Sequence, residues 1–187
     1  MKKNTTKYAV LGLLTIEPLS GYEIKKMIQN SLAYFWSESN GQLYPTLNQL
    51  LKENWIVISD NQSTSKKKSN RYEITEAGRV ELQKWMCREE EEKSIHRDEN
   101  LLKLFFGSNI SKKECIQRLK NRKKRLQEKL KEYRAIENKL RKDSTSPHFI
   151  YWLLTVNCGV CGVQAAINWC RNSIITLEKA QRDEISK

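Results

Sequence analysis

Between Ile116 and Leu140 the chain repeats at steps of three and four residues. Positions 116, 119, 123, 126, 130, 133, 137 and 140 hold Ile, Leu, Lys, Leu, Leu, Tyr, Glu and Leu, so six of the eight are apolar. Such a 3.5-residue repeat makes a helix, here 112–142 with Ser111 as its cap, that needs a partner helix along its whole length of about 45 Å. The segment that follows is more demanding still. Pro147 starts a last helix whose stretch Phe149 to Trp169 is apolar almost all round, and a helix of that kind has to be enclosed by protein. A chain of 187 residues has little left to enclose it. Dimerisation is the simplest solution, through Leu119, Leu126, Leu130, Tyr133 and Leu140 on the first helix and Trp152, Val156 and Val160 on the second. The alternative occupant is a bilayer, but the tract Phe149 to Val163 is broken by Thr155 and Asn157 and is shorter than the ~20 residues a span needs. No membrane partner is predicted.

Charge narrows the partner further. The formal charge is +12 and the pI is near 9.5, which favours a polyanion, because basic groups release the counterions condensed on phosphates. Duplex nucleic acid leads, although an anionic membrane surface would also recruit a basic chain. Helix 112–142 alone holds 14 lysines and arginines against 4 glutamates. That is compatible with a solvated coiled-coil flank and equally with a second contact with DNA or an anionic surface. Met1 to Thr6 runs into an interrupted apolar stretch followed by Glu17 and Pro18, with no signal-peptide cleavage region, so a cytoplasmic location is expected.

The first ninety residues read as a compact domain. Tyr8, Val10, Leu11, Leu13, Leu14 and Ile16 make a helix over 7–16 too apolar for a solvated surface, closed by Pro18. Ser20 and Glu23 form a capping box for a second helix over 20–31, with Ile24, Met27 and Ile28 at helical spacing. A third helix, 41–54, carries Leu47, Leu50 and Leu51, with Pro45 tolerated in its first turn. Trp55 to Ile58 reads as a strand and Arg71 to Thr75 as its return, joined by a polar, lysine-tipped loop. A fourth helix opens at Thr75-Glu76-Ala77-Gly78. The predicted fold class is therefore mainly α: an N-terminal winged helix-turn-helix with a two-stranded wing over 1–90, and a C-terminal domain of long, coiled-coil-like helices over 97–187. A short helix at 97–107, closed by Gly107, begins the second domain.

In a winged helix-turn-helix the last of the three helices enters the major groove of double-stranded DNA. Its first turn offers Gln42, Tyr44 and Thr46, polar groups able to bond base edges or phosphates, while Leu43, Leu47, Leu50 and Leu51 face inward. Tyr22, Lys25 and Asn48 join them as DNA-contact candidates. Lys66, Lys67 and Lys68 at the wing tip and Arg71 at its base form a stretch without acidic residues, suited to gripping phosphates. The competing assignments are a Tyr44 ring packed under the wing, a merely solvated Gln42 and a merely solvated loop.

These residues resemble the PadR family of bacterial transcriptional regulators. The resemblance is carried by Leu11-Gly12-Leu13-Leu14, Leu19-Ser20-Gly21-Tyr22-Glu23-Ile24, Gly41-Gln42-Leu43-Tyr44-Pro45-Thr46-Leu47 and Tyr72-Glu73-Ile74-Thr75-Glu76-Ala77-Gly78, in that order. Asp98-Glu99-Asn100-Leu101-Leu102-Lys103-Leu104-Phe105-Phe106, leading into a long helix, and Trp169-Cys170 are similar to the longer, Vir-type subfamily with a helical dimerisation domain. The resemblance implies a homodimeric repressor of stress or detoxification genes, bound to a palindromic operator and released by a small, often aromatic effector between the two domains.

Other signals are weaker. Trp36, Trp85, His148 and Trp152 are candidates for an effector cavity, because aromatic walls suit planar ligands; filling the core would explain the tryptophans as well. Cys158-Gly159-Val160-Cys161 has redox or half-zinc spacing, yet only Cys170 is near it and a structural zinc needs four ligands. The pair is expected to be buried as small hydrophobes, with a thiol redox sensor as the alternative. No metal and no cofactor are predicted. Without a nucleophile motif near His96 or His148, or a glycine-rich phosphate loop, no enzyme is predicted either.

Overall fold

A computed structural model describes residues 5–32, 35–36, 41–59, 70–89, 98–142 and 145–185. The chain divides into two compact units, Met1–Lys93 and Ser94–Lys187.

In the N-terminal unit, α1 (Thr6–Leu14) buries Tyr8, Val10, Leu11, Leu13 and Leu14, as its dense apolar run requires. It stops short of Ile16, where the Thr15 hydroxyl donates to the Gly12 carbonyl at 2.7 Å. Leu19–Ser20 forms a two-residue strand, β1, and α2 follows as Gly21–Met27. The predicted capping box is present: Glu23 N–H donates to Ser20 Oγ at 3.3 Å and Ser20 N–H to the Glu23 carboxylate at 2.7 Å. That backbone bond, then the Ser20 hydroxyl and the Arg71 charge, hold the Glu23 carboxyl below its ordinary pKa. Where the sequence predicts one helix to residue 31, the backbone widens into a π-helical turn at Ile28–Leu32.

The third helix, α3, is Leu43–Lys52, shorter at both ends than the predicted 41–54. Its exit is a Schellman motif. Trp55 N–H donates to Leu50 O at 3.0 Å and Asn54 N–H to Leu51 O at 3.1 Å, with Asn54 in the left-handed region at φ 56°. Asparagine is among the few side-chain-bearing residues that occupy that region readily. Strands β2 (Ile56–Ser59) and β3 (Arg71–Ile74) pair antiparallel, Ile56 opposite Ile74 and Ser59 opposite Arg71. The wing is three-stranded rather than two-stranded, in the order β1-β3-β2, because Leu19 and Ser20 pair with Tyr72 and Arg71. Two residues are too few for alternation to announce a strand. Helix α4 (Glu76–Met86) is capped by Thr75, whose Oγ accepts from Gly78 N–H at 3.1 Å and donates to Asn54 O at 2.8 Å. Leu82 seals the core from α4.

In the C-terminal unit, Asp98 caps α5 (Glu99–Phe105) by accepting from Asn100 and Leu101 N–H at 2.9 and 3.2 Å. The same carboxylate takes both terminal nitrogens of Arg122 at 3.0 and 2.7 Å, which ties α5 to α6 (Lys112–Lys142). A short 3-10 turn, Gly107–Asn109, precedes α6. Helices α6 and α7 (Phe149–Ile185) run antiparallel. Lys112 Nζ donates to Ala180 O at 3.4 Å, Lys120 pairs with Glu178 at 3.3 Å, and Gly159 sits so close to Tyr133 that a Cβ there would lie 2.8 Å from the ring.

This pairing corrects the dimerisation assignment for Leu119, Leu130 and Tyr133. Leu119, Leu130 and Tyr133 are buried within the chain, and Leu126, Leu140, Val156 and Val160 are half-buried. The partner that the heptad repeat demands is α7 of the same chain. Only Trp152 of the eight remains largely open, at 41% exposure. The seam also corrects the cysteine assignment. It passes through Val163, Ile167, Cys170 and Ile174, so Cys158 and Cys161 fall on the opposite side of α7 and are exposed. Cys170 is fully buried, and burial pushes its thiol pKa up.

Candidate nucleic-acid interface

Helices α2 and α3 present two tyrosines. Tyr22, the second residue of α2, is 69% exposed, and Tyr44, the second of α3, is 56% exposed. They belong to one surface because the Tyr44 ring lies on Gly21, whose missing Cβ would come within 3.1 Å of Cε1. Gln42 and Asn48 are exposed beside Tyr44, and Lys25 is half-buried on α2. Tyr44, Asn48 and Lys52 stand at i, i+4 and i+8, so they share one row of α3. Lys52 was not among the predicted contacts, although that spacing could have found it. Gln42 makes no side-chain cap, and the first N–H groups of α3 point at whatever approaches its start, the positive end of the helix dipole.

Two predicted contacts read differently in the structure. Thr46 is 2% exposed and belongs to the inward face with Leu43, Leu47 and Leu50, so it cannot reach a base edge. Arg71 is engaged inside the unit: its Nη2 donates to Pro18 O at 2.7 Å and lies 3.5 Å from the Glu23 carboxylate. It fastens β3 to the start of α2, which makes it a positioning group for the wing. Lys66, Lys67 and Lys68 lie outside the described residues.

The four predicted effector residues divide between the units. Trp36 is half-buried. Trp85 stacks on Tyr8 with centroids 4.5 Å apart and planes 8° from parallel, and Tyr8 OH donates to Glu81 at 3.0 Å. That packing makes Trp85 a core residue. His148 and Trp152 stack at 5.4 Å in the C-terminal unit.

Three helices, a sheet-borne wing and a polar, tyrosine-bearing face on the third helix define a winged helix-turn-helix DNA-binding regulator. Residues 10–84 match the Transcriptional regulator PadR-like family, and residues 96–178 match Virulence activator alpha C-term. The chain belongs to the PadR family of transcriptional regulators, in its longer form with a helical C-terminal domain. It is 32% identical over 153 residues to the negative transcriptional regulator PadR of Bacillus subtilis (strain 168), covering 79% of this chain and 84% of that one. The crystal structure of Bacillus subtilis PadR in complex with operator DNA superposes with a TM-score of 0.84 at 28% identity, covering 93% of this chain and 99% of that chain. The structure of the same regulator in complex with p-coumaric acid gives 0.81 at 26% identity, with 94% and 99% covered. These relatives are regulators, and the chain is a regulator rather than an enzyme.

Proposed function

We propose that the chain is a cytoplasmic, homodimeric repressor that binds a palindromic operator in double-stranded DNA and leaves it when a small effector binds. The observation that carries the reading is the pair Tyr22 and Tyr44, both exposed and joined through Gly21 at the entry of α3. Gln42, Asn48 and Lys25 flank them, and the wing lysines Lys66, Lys67 and Lys68 supply phosphate contacts. Repression is supported by the name of the negative regulator from Bacillus subtilis, and effector release by the p-coumaric acid complex of that regulator. His148 and Trp152 are the effector-facing aromatics favoured by their stacking.

The dimer interface is assigned to the outward side of α7. Tyr151 is 68% and Leu154 61% exposed, and Ile150 and Trp152 lie beside them. Phe149–Arg182 is long and apolar enough to cross a membrane, with mean hydropathy 1.5 and 11% of its apolar window buried. A bilayer is the poorer occupant, because α6 is seamed to α7 and would carry its 14 lysines and arginines into the hydrocarbon. A second copy offers the same apolar row in return.

The test is fluorescence anisotropy of the protein with its own upstream promoter duplex and with an unrelated duplex of equal length, across a salt series. A preference of ~10³ or more for the promoter supports a sequence-reading repressor. Equal affinities with a steep salt slope mean that charge binds phosphate without reading bases, and the operator assignment fails.

A further inference from the structure

Between α5, α6 and Trp169 of α7 lies a cleft of about 220 Å³. Four cations line it, Lys103, Arg118, Arg122 and Arg125, and among the described residues no carboxylate does. Charge on an exposed helix surface is screened by water; a concave wall instead focuses the field on the space in front of it. The nearby acids are already engaged. Asp98 grips Arg122 through two bonds, Glu99 pairs with Lys103, and Glu114 accepts from the Ser111 backbone and hydroxyl at 3.1 and 2.8 Å. Among the described residues Arg125 has no ion-pair partner. Arg122 is held rigidly as well, its guanidinium 5.6 Å from the centroid of the Trp169 ring.

The remaining wall is apolar, formed by Leu104, Leu119 and Trp169. Cations on one side and hydrocarbon on the other fit a ligand with a charged head and an apolar body. The volume lies below the roughly 300–1,000 Å³ of drug-sized pockets, which selects a single-ring acid over a nucleotide or a larger drug. We infer that this cleft binds a small organic acid, its carboxylate between Arg118 and Arg125 and its apolar body against Leu119 and Trp169. None of the four residues assigned to an effector above lines the cleft. The inference does not depend on the repressor reading, since binding is measured on the protein without DNA.

Benzoate, acetate and sulfate are titrated into the full chain by calorimetry, and the Trp169 indole N–H resonance, assigned by its loss in Trp169→Phe, is followed by NMR. Benzoate is expected to saturate, to move that resonance, and to bind at least about tenfold more tightly than acetate or sulfate because its ring is buried. Arg118→Gln and Arg125→Gln each weaken it about tenfold through loss of a charge-assisted hydrogen bond. Lys131→Gln, which removes a charge from the same helix outside the cleft, leaves it unchanged. The assignment is overturned by absence of saturation below about 10 mM, by equal binding of the three anions, or by an equal loss in Lys131→Gln, which would mean diffuse charge rather than a site.

Discussion

At Gly21 a methyl group would come within 3.1 Å of the Tyr44 ring, so the seat of this exposed tyrosine depends on a missing side chain. Tyr44→Phe keeps that ring contact and removes only the hydroxyl. If the hydroxyl bonds a phosphate or base, promoter affinity should fall by about tenfold or more, the cost of a hydrogen bond to a charged group, with no change in melting temperature. Wild-type affinity in that variant would reduce Tyr44 to packing. Asn54 makes a second residue-scale case. At φ 56° glycine has no Cβ penalty, so Asn54→Gly should hold or raise stability, while Asn54→Ala should lose about 1 kcal/mol by urea unfolding. Thr46 shows what spacing could have revealed: it stands three residues after Leu43 and one before Leu47, on the inward side of the same repeat.

Among the elements, α4 leans on the backbone of the residue before β2. A Cβ at Gly78 would lie 2.2 Å from Trp55 O, and that carbonyl also accepts from Thr75 N–H at 3.0 Å, so neither side can yield easily. Gly78→Ala should cost about 2 kcal/mol and lower the melting temperature of the N-terminal unit by roughly 10 °C. The link between α5 and α6 combines the packing of Leu104 on Ile116 and Leu119 with an ion pair. The paired Arg122 guanidinium holds the Asp98 carboxyl well below the usual carboxylate range. A depressed folded-state pKa contributes stability above the unfolded value and loses it as pH falls, so the contribution fades below about pH 4. Melting curves of wild type and Asp98→Asn between roughly pH 2 and 7 should differ most near neutrality and converge in acid. A gap independent of pH would remove the ion pair from the account.

The helices of the N-terminal unit were legible because capping residues and apolar spacing are local signals; Ser20 and Glu23 announce α2 by themselves. The two residues of β1 were not, since their strand character comes from Tyr72 and Arg71, more than fifty residues later. The heptads of α6 correctly demanded a partner. They carry no mark of whose helix it is, and α7 of the same chain fills the place.

At the scale of the whole molecule, the unpaired resource is the outer row of α7. Leu154→Lys places a charge in the middle of that row at a position 61% exposed in the single chain, so folding of the chain should survive while association fails. Sedimentation should then report a monomer. Promoter affinity should drop by about 10²-fold or more, because two linked half-site contacts become independent events. A dimer that persists in this variant would move the interface elsewhere.

The α6–α7 seam, closed by Tyr133 over Gly159 and by Leu119 near Ile174, separates two kinds of information that a coiled-coil dimer usually writes on one stripe. Residues that make the hairpin fold lie on one side of α7, and the exposed row proposed to select its mate lies on the other. A duplicated gene could therefore drift at Tyr151, Leu154 and their neighbours until its product ignores the parent, without passing through a chain that cannot fold. Divergence of mating specificity would be a surface process, open to many small steps.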